Sequence, residues 1–402
     1  MKDVSRLAMI KYTFIFLFLL SSITVFGKLQ PGFDKTEARD MIAICNSFTF
    51  LDLYQSDAAI IPAGYDKRYT SGTFGMDNKY QLYVKGDVAV INFRGSTEKQ
   101  LSWVQNFYAS MIPAKGIIKV DGNSFEYCFA KNPNAAVHSG YALGIAFIHT
   151  ELLYQIKILN KDGIYNIIIT GHSQGGALAN MFRAYLENLP ERMLSKKNIF
   201  KTYAFAAPMI GNKSFANEYN SNIGADGSSF NIVNSSDLIP TFPVNYNDTN
   251  FMRDNVNSFL FGKEFSMKKM LRDGTVRIFD DKIGQLMGYV GKSANKKISK
   301  EVSDVKMPPP VKDINYFKLE SRIELTEFEY PAILKDSAIL ENDSLMEVYE
   351  RGEDGQFLDK KLYKSGSWAY QHKPYNYYVA FLKAYFPEQY GRLEKKYLPE
   401  NL

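Results

Sequence analysis

Apolar residues along this chain follow two alternating periods. Short β-branched and aromatic runs, Tyr80 to Val84, Val88 to Phe93, Ile164 to Thr170, Ile199 to Ala206 and Phe230 to Val233, have the length and composition of strands. Between them lie stretches with a helical period. Lys35 to Tyr54 carries Met41, Ile42, Cys45, Phe48 and Leu51; Tyr141 to Leu159 carries Leu143, Phe147, Leu152, Ile156 and Leu159. Lys85-Gly86-Asp87 joins the first two runs as a hairpin, and the Gly- and Pro-containing stretch Asp57 to Asn78 reads as a loop with short strands. Strands alternating with helices predict an α/β fold with a mostly parallel central sheet flanked by helices. From Asp248 onward the pattern weakens. Lys263 to Lys300 is basic and polar, Met307-Pro308-Pro309-Pro310 is a rigid break, and Ile314 to Ala338 mixes charged and apolar positions. Tyr370 to Tyr390 is rich in tyrosine. No internal repeat is visible.

The run Ile164 to Thr170 matters most, because it leads directly into a serine motif. Gly171-His172-Ser173-Gln174-Gly175 is a G-x-S-x-G match, and Ala177, Leu178 and Met181 open an apolar helix behind it. Strand, sharp turn and helix are the context in which this motif lifts a serine hydroxyl clear of a sheet. Side chains two residues either side of the serine would collide, so both positions are glycine. The turn also aims backbone N–H groups and a helix N-terminus at the space where an oxyanion would form.

A serine hydroxyl is a poor nucleophile unless a neutral imidazole takes its proton and a carboxylate fixes the imidazole tautomer. On this kind of sheet the partners follow the serine in the order acid, then histidine. The chain has only four histidines. His138 and His149 precede Ser173, His172 adjoins it, and His372 alone follows. Asp237 is the best acid, since it lies just past the strand Phe230 to Val233 and is followed by Leu238-Ile239-Pro240. Asp226 and Asp248 are the runners-up, in Gly- or Asn-rich loops. For the oxyanion hole, one donor is the backbone N–H of Gln174. The other is expected from an earlier strand end, where Arg94-Gly95-Ser96 points to the Ser96 N–H, with Arg94 bracing the loop. Leu101, Trp103, Val104, Phe107, Tyr108, Met111 and Ile112 then form an amphipathic stretch. It reads either as a surface helix packed on the core or as a mobile lid.

Composition adds compartment and partners. With 402 residues, 46% hydrophobic and 23% charged, the chain can bury a large core. Its net charge of +5 comes from scattered lysines, which does not suggest nucleic acid. Lys2, Arg6 and Lys11 precede an apolar run, Tyr12 to Phe26, and Val25-Phe26-Gly27 suits a signal peptidase cutting after Gly27. That run is short for a membrane span and no second apolar stretch is read as approaching about 18 residues, so the mature chain is expected to be exported, secreted or periplasmic, without a stable span. An uncleaved N-terminal anchor is the other reading. Cys45 and Cys128 could pair in an oxidising compartment or remain buried thiols. No Cys/His cluster has metal-ligand spacing, and the chemistry needs no cofactor.

Five blocks in order complete the picture. They are Phe93-Arg94-Gly95-Ser96 with Trp103, His138-Ser139-Gly140-Tyr141, Gly171 to Gly176, Ala207-Pro208-Met209-Ile210-Gly211-Asn212, and Asn234-Ser235-Ser236-Asp237-Leu238-Ile239-Pro240. Together, over Lys79 to Pro243, they resemble the class 3 (fungal-type) lipases of the α/β-hydrolase superfamily. The resemblance implies an α/β-hydrolase fold and hydrolysis of acylglycerol or related esters. It makes Ser173 the nucleophile, Asp237 the acid, His372 the base, and Ser96 with Gln174 the oxyanion donors. It also puts a lid helix at Leu101 to Ile112. Two departures stand out: Gln174 replaces the usual leucine, and the interval from Asp237 to His372 is long. The expected layout is a signal peptide at 1–27, one hydrolase domain at 28–402 with core motifs at 79–243, an insertion at about 248–365, and a C-terminal segment at 366–402 carrying His372. The expected function is a secreted serine ester hydrolase acting on lipid esters. Phospholipase A1 or a general carboxylesterase is the near alternative, and an inactive envelope binding protein the distant one.

Overall fold

The computed structural model describes residues 29–243, 294–341, 348–366 and 369–401. The signal segment 1–27, the runner-up Asp248 and most of the basic run Lys263 to Lys300 lie outside the described residues.

After helices α1 (Lys35–Cys45) and α2 (Ser47–Tyr54), the chain enters the sheet through β1 (Asp66–Thr70), β2 (Tyr80–Lys85) and β3 (Val88–Phe93). Helix α3 (Gln100–Phe107) follows, then β4 (Met111–Pro113), the hairpin β5 (Lys115–Val120) and β6 (Asn123–Cys128), and β7 (Ala136–His138). The long helix α4 (Ser139–Lys161) returns to β8 (Asn166–His172), which feeds helix α5 (Gln174–Glu187). Next come β9 (Ile199–Phe205), α6 (Lys213–Tyr219) and β10 (Ser229–Asn234). The later segment supplies β11 (Val305–Lys306) and β12 (Arg322–Leu325), and the chain closes with α7 (Pro374–Tyr385) and α8 (Pro387–Arg392).

Seven strands form the central sheet in the order β1-β2-β3-β8-β9-β10-β12. The first two pairings are antiparallel, and every pairing from β3 to β12 is parallel. Burial follows the two-residue period of a strand. On β8, Ile167 and Ile169 face a layer containing Leu143, Ile148 and Leu152 of α4 and Leu178 and Phe182 of α5. Ile168 faces the opposite layer, with Met41 and Ile42 of α1 and Tyr377 and Phe381 of α7. A sheet greasy on both faces and covered by helices on both is the mostly parallel α/β arrangement the sequence predicts, with β8 near its middle. The expectation that no second apolar stretch approaches about 18 residues is corrected by α4, which among the described residues is the one helix long and apolar enough to cross a membrane; here it packs into the core.

Several sequence expectations need correction. The helix expected over Lys35 to Tyr54 is interrupted at Asn46, whose side chain donates to the Ile42 carbonyl (2.9 Å) and the Pro374 carbonyl (3.1 Å). The amphipathic stretch Leu101 to Ile112 is a helix only to Phe107; Met111 and Ile112 pair with β7 as strand. Of the two readings left open for the cysteines, the free-thiol one holds: Cys45 and Cys128 are unpaired with each other and contact the Thr170 hydroxyl and the Ala130 carbonyl respectively. The stretch beyond Asp248 is not wholly irregular: β12 extends the main sheet beside β10, and β11 pairs with β5.

Candidate active site

The turn between β8 and α5 is as tight as its glycines require. A Cβ on Gly171 would lie 2.3 Å from the Gly175 carbonyl carbon, and one on Gly175 would lie 2.3 Å from the Phe93 carbonyl oxygen. Between them Ser173 has φ 59° and ψ −128°, a region that L-residues rarely occupy. Its N–H donates to the Phe205 carbonyl at 2.9 Å, and its own carbonyl accepts from Ala177 N–H at 3.1 Å. These bonds hold the backbone in its strained conformation, with the hydroxyl at the carboxyl end of the parallel strands and at the N-terminus of α5.

His372 sits on a single turn, Tyr370–His372, just before α7. Its Nε2 lies 2.8 Å from Ser173 Oγ, and its Nδ1 lies 2.8 Å from Asp237 Oδ2. A carboxylate can only accept, so the proton belongs on Nδ1, and Nε2 is left to accept from the serine hydroxyl. Asp237 follows β10, and its side chain is almost wholly buried. It accepts two further hydrogen bonds: Ile239 N–H to Oδ1 at 3.0 Å and the Tyr377 hydroxyl to Oδ2 at 2.7 Å. Tyr377 in turn accepts from Asn234 N–H at 2.9 Å. Burial, together with the adjacent Asp237 charge, holds the Tyr377 phenol well above its ordinary pKa, so it stays a donor.

Neighbouring side chains fix the His372 turn. The Gln371 amide oxygen accepts from Asn234 Nδ2 at 2.6 Å and from Phe328 N–H at 2.9 Å, and its nitrogen donates to the Phe328 carbonyl. One side chain therefore ties the turn both to β10 and to the segment that supplies β12. His172 fills the space behind the site, its ring centroid 4.8 Å from that of His372 and 5.3 Å from that of Tyr377. Burial, with a lesser push from His372, holds its pKa well below the usual value and keeps it neutral.

The loop after β3 closes the other side. A Cβ on Gly95 would meet the His172 carbonyl oxygen at 3.0 Å, which shows how near this loop comes to the turn. Ser96 Oγ donates to Gln174 Oε1 at 3.1 Å and accepts from Asn106 Nδ2 at 2.9 Å. Arg94 pairs with Asp77 at 2.9 Å, and Asp77 also accepts from Thr97 Oγ1 (2.7 Å) and Lys99 Nζ (2.8 Å). Burial alone would raise the Asp77 pKa. The bonds from Lys99 and Thr97 and the charges of Arg94 and Lys99 outweigh burial and hold the carboxyl below its ordinary range. Arg94 thus braces the loop from behind.

The other sequence candidates lie elsewhere. Asp226 sits in the turn before β10, accepting from Ser228 N–H. His138 caps α4, its Nδ1 accepting from Gly140 and Tyr141 N–H at 3.1 and 3.3 Å. His149 is bonded within α4 to the Ala146 carbonyl. Sequence inspection misses Tyr377, Gln371 and Asp77, because each acts through contacts distant in the chain. No group of three or more metal-ligating side chains occurs among the described residues.

Comparison with known proteins adds a family to this geometry. The family model described as Lipase (class 3) matches residues 90–247, which run from within β3 through the Ser173 turn to beyond Asp237. Residues 90–247 are thus similar to the class 3 lipase family. A secreted mono- and diacylglycerol lipase of Malassezia restricta, LIP2, is 33% identical over 93 residues, covering 23% of this chain and 27% of the relative. Triacylglycerol lipase OBL1 of Arabidopsis thaliana is 23% identical over 50% of this chain and 42% of its own. The chain thus spans less than half the length of these curated lipase relatives. Among solved structures, lipase II from Rhizopus niveus aligns at 20% identity and a TM-score of 0.39, over 52% of this chain and 74% of that one.

Proposed function

We propose that this chain is an exported, class 3 lipase-like serine hydrolase that cleaves carboxylic esters of acylglycerols through an acyl-enzyme. What supports it is the continuous line of hydrogen bonds from Asp237 through His372 to Ser173, with 2.8 Å on each side of the imidazole. In this reading His372 Nε2 takes the proton as Ser173 Oγ attacks the ester carbonyl. The same proton then passes to the departing alcohol. Asp237 keeps Nδ1 protonated and stabilises the imidazolium that forms. The N–H groups of Gln174 and Ser96 receive the oxyanion, each contributing about 3 kcal/mol to the transition state. Water, deprotonated by His372, then releases the acyl group. The cycle calls for no cofactor.

The apolar segment at the N-terminus and the relative named as secreted support export. The acylglycerol assignment rests on the two relatives named for acylglycerol substrates. The decisive experiment uses the full mature chain and a panel of esters varied in acyl length and head group. Ser173→Ala should abolish turnover and fluorophosphonate labelling while leaving the melting temperature near that of the parent. Retained hydrolysis in the variant refutes the mechanism. A preference for phospholipids or short soluble esters would move the substrate class without touching the mechanism.

A further inference from the structure

Gln174 contributes more than a backbone N–H. Its side chain is buried, and its amide oxygen accepts two hydroxyls, Ser96 Oγ at 3.1 Å and Ser102 Oγ at 3.2 Å. Its Nε2 faces Asn78 Oδ1 at 3.4 Å. Ser102, on the first turn of α3 and fully buried, accepts in turn from Thr97 N–H at 3.2 Å. One amide therefore joins three pieces: the turn bearing Ser173, the loop bearing Ser96, and the N-terminal end of α3. Each serine hydroxyl has a single proton, and both protons go to the two lone pairs of Oε1.

The far end of α3 has its own anchor. Asn106 donates to Ser96 Oγ, accepts from the Tyr141 hydroxyl at 3.0 Å, and its carbonyl lies 3.1 Å from His138 Nε2. A Cβ on Gly140 would come within 1.9 Å of the Gln105 carbonyl oxygen, so α4 and the middle of α3 are in close backbone contact. The outer face carries Leu101, Trp103 and Phe107, half-buried, with the two aromatic rings stacked at 6.1 Å. The inner face holds the helix, with Ser102, Gln105 and Asn106 bonded or in close contact and Val104 buried in the core beside them. A leucine at 174 would leave the Gln105–Gly140 contact and the Asn106 anchor, including its bond to Ser96 Oγ, but would remove the acceptor that joins Ser96 and Ser102 to the Ser173 turn.

We infer that the Gln174 side chain is a positioning residue: it holds Ser96 and the start of α3 against the Ser173 turn, so the oxyanion site stands formed before substrate or a lipid surface arrives. This inference rests on the ester-hydrolase reading above. It predicts turnover of a dissolved short-chain ester without an interface. Wild type, Gln174→Leu, Ser102→Ala and the double variant are assayed with a p-nitrophenyl ester below its micelle concentration, with fluorophosphonate inactivation rates and melting curves in parallel.

Gln174→Leu should lose about ten- to a hundredfold in kcat, because a misplaced donor loses most of its effect. KM should shift by less than about threefold, since substrate binding energy is untouched. Ser102→Ala should lose less, and the double variant no more than Gln174→Leu alone, because both act through the same oxygen. A folded Gln174→Leu with unchanged kcat, or losses that multiply in the double variant, overturns the inference while the Ser173 mechanism stands. If Gln174→Leu does not fold, Ser102→Ala decides: a fall in kcat at constant KM supports the inference, and an unchanged kcat overturns it. A wild-type chain that neither labels nor hydrolyses removes the underlying reading and the inference with it.

Discussion

Replacing Asp237 with asparagine changes one atom, and the surrounding hydrogen bonds dictate where that atom goes. Ile239 N–H points at Oδ1 and must keep an acceptor, so the asparagine oxygen belongs there. The new NH2 group then occupies the Oδ2 position, facing both His372 Nδ1 and the Tyr377 hydroxyl. An NH2 can only donate, so His372 must present a lone pair at Nδ1 and carry its proton on Nε2. That proton faces Ser173 Oγ, and the imidazole can no longer accept from it. A serine triad locked in the wrong tautomer loses about 10³- to 10⁴-fold in kcat, equivalent to about 4–5.5 kcal/mol at about 1.4 kcal/mol per tenfold. The Tyr377 hydroxyl proton is orphaned as well, adding about 1–3 kcal/mol of destabilisation. Steady-state hydrolysis of a soluble ester gives the first magnitude and thermal melting the second. Nitrogen-15 chemical shifts of the His372 ring report the tautomer directly. Activity within tenfold of the parent, or a His372 ring still protonated on Nδ1, would refute the assignment of proton positions at this site.

Other outcomes depend on single features. Gly171→Ala places a Cβ 2.3 Å from the Gly175 backbone, which has no soft side chain to yield. The variant should lose more than about 2 kcal/mol of stability and most fluorophosphonate labelling; a parent-like melting curve would contradict it. Stability should also fall on mild acidification. Burial lowers His138 to about 3, and His172 is held well below its ordinary value by burial and by the nearby His372. The unfolded chain, with histidines near 6.5, then binds more protons than the native one. Their contribution is complete above about pH 6.5 and declines as pH falls toward the native values, by about 1.4 kcal/mol per pH unit for each. Urea unfolding at intervals from pH 7.5 to 5 measures the slope, and a flat profile would contradict the buried, neutral state of both rings.

Legibility differs sharply between elements. The strand before Ser173 and the helix after it carry period, glycine spacing and a buried apolar run within a dozen residues, and all three are local. His372 is found by elimination, since three of the four histidines lie before or beside the serine. The partners that orient it are not legible: Tyr377 reaches Asp237, and Gln371 reaches Asn234 and Phe328, across more than forty residues in every case. One missed feature did have a local signal. Asp121 and Gly122, at φ 49° and 80°, form the turn between β5 and β6, and an Asp-Gly pair between two β-rich runs announces such a hairpin. The Gln174 side chain is opaque for the opposite reason. The motif requires only a backbone N–H there, so nothing in the spacing indicates that the amide binds Ser96 and Ser102.

The outermost parallel strand, β12, has consequences for biogenesis. Its partner β10 is complete at Asn234, whereas the residues that cover its free edge are Arg322 to Leu325. A ribosome therefore exposes the rim of the sheet well before the segment that seals it has been made. During that interval the unpaired N–H and C=O groups of β10 can recruit a strand from another nascent chain. Chains truncated between the two strands should consequently aggregate rather than fold, however complete their Ser173 turn.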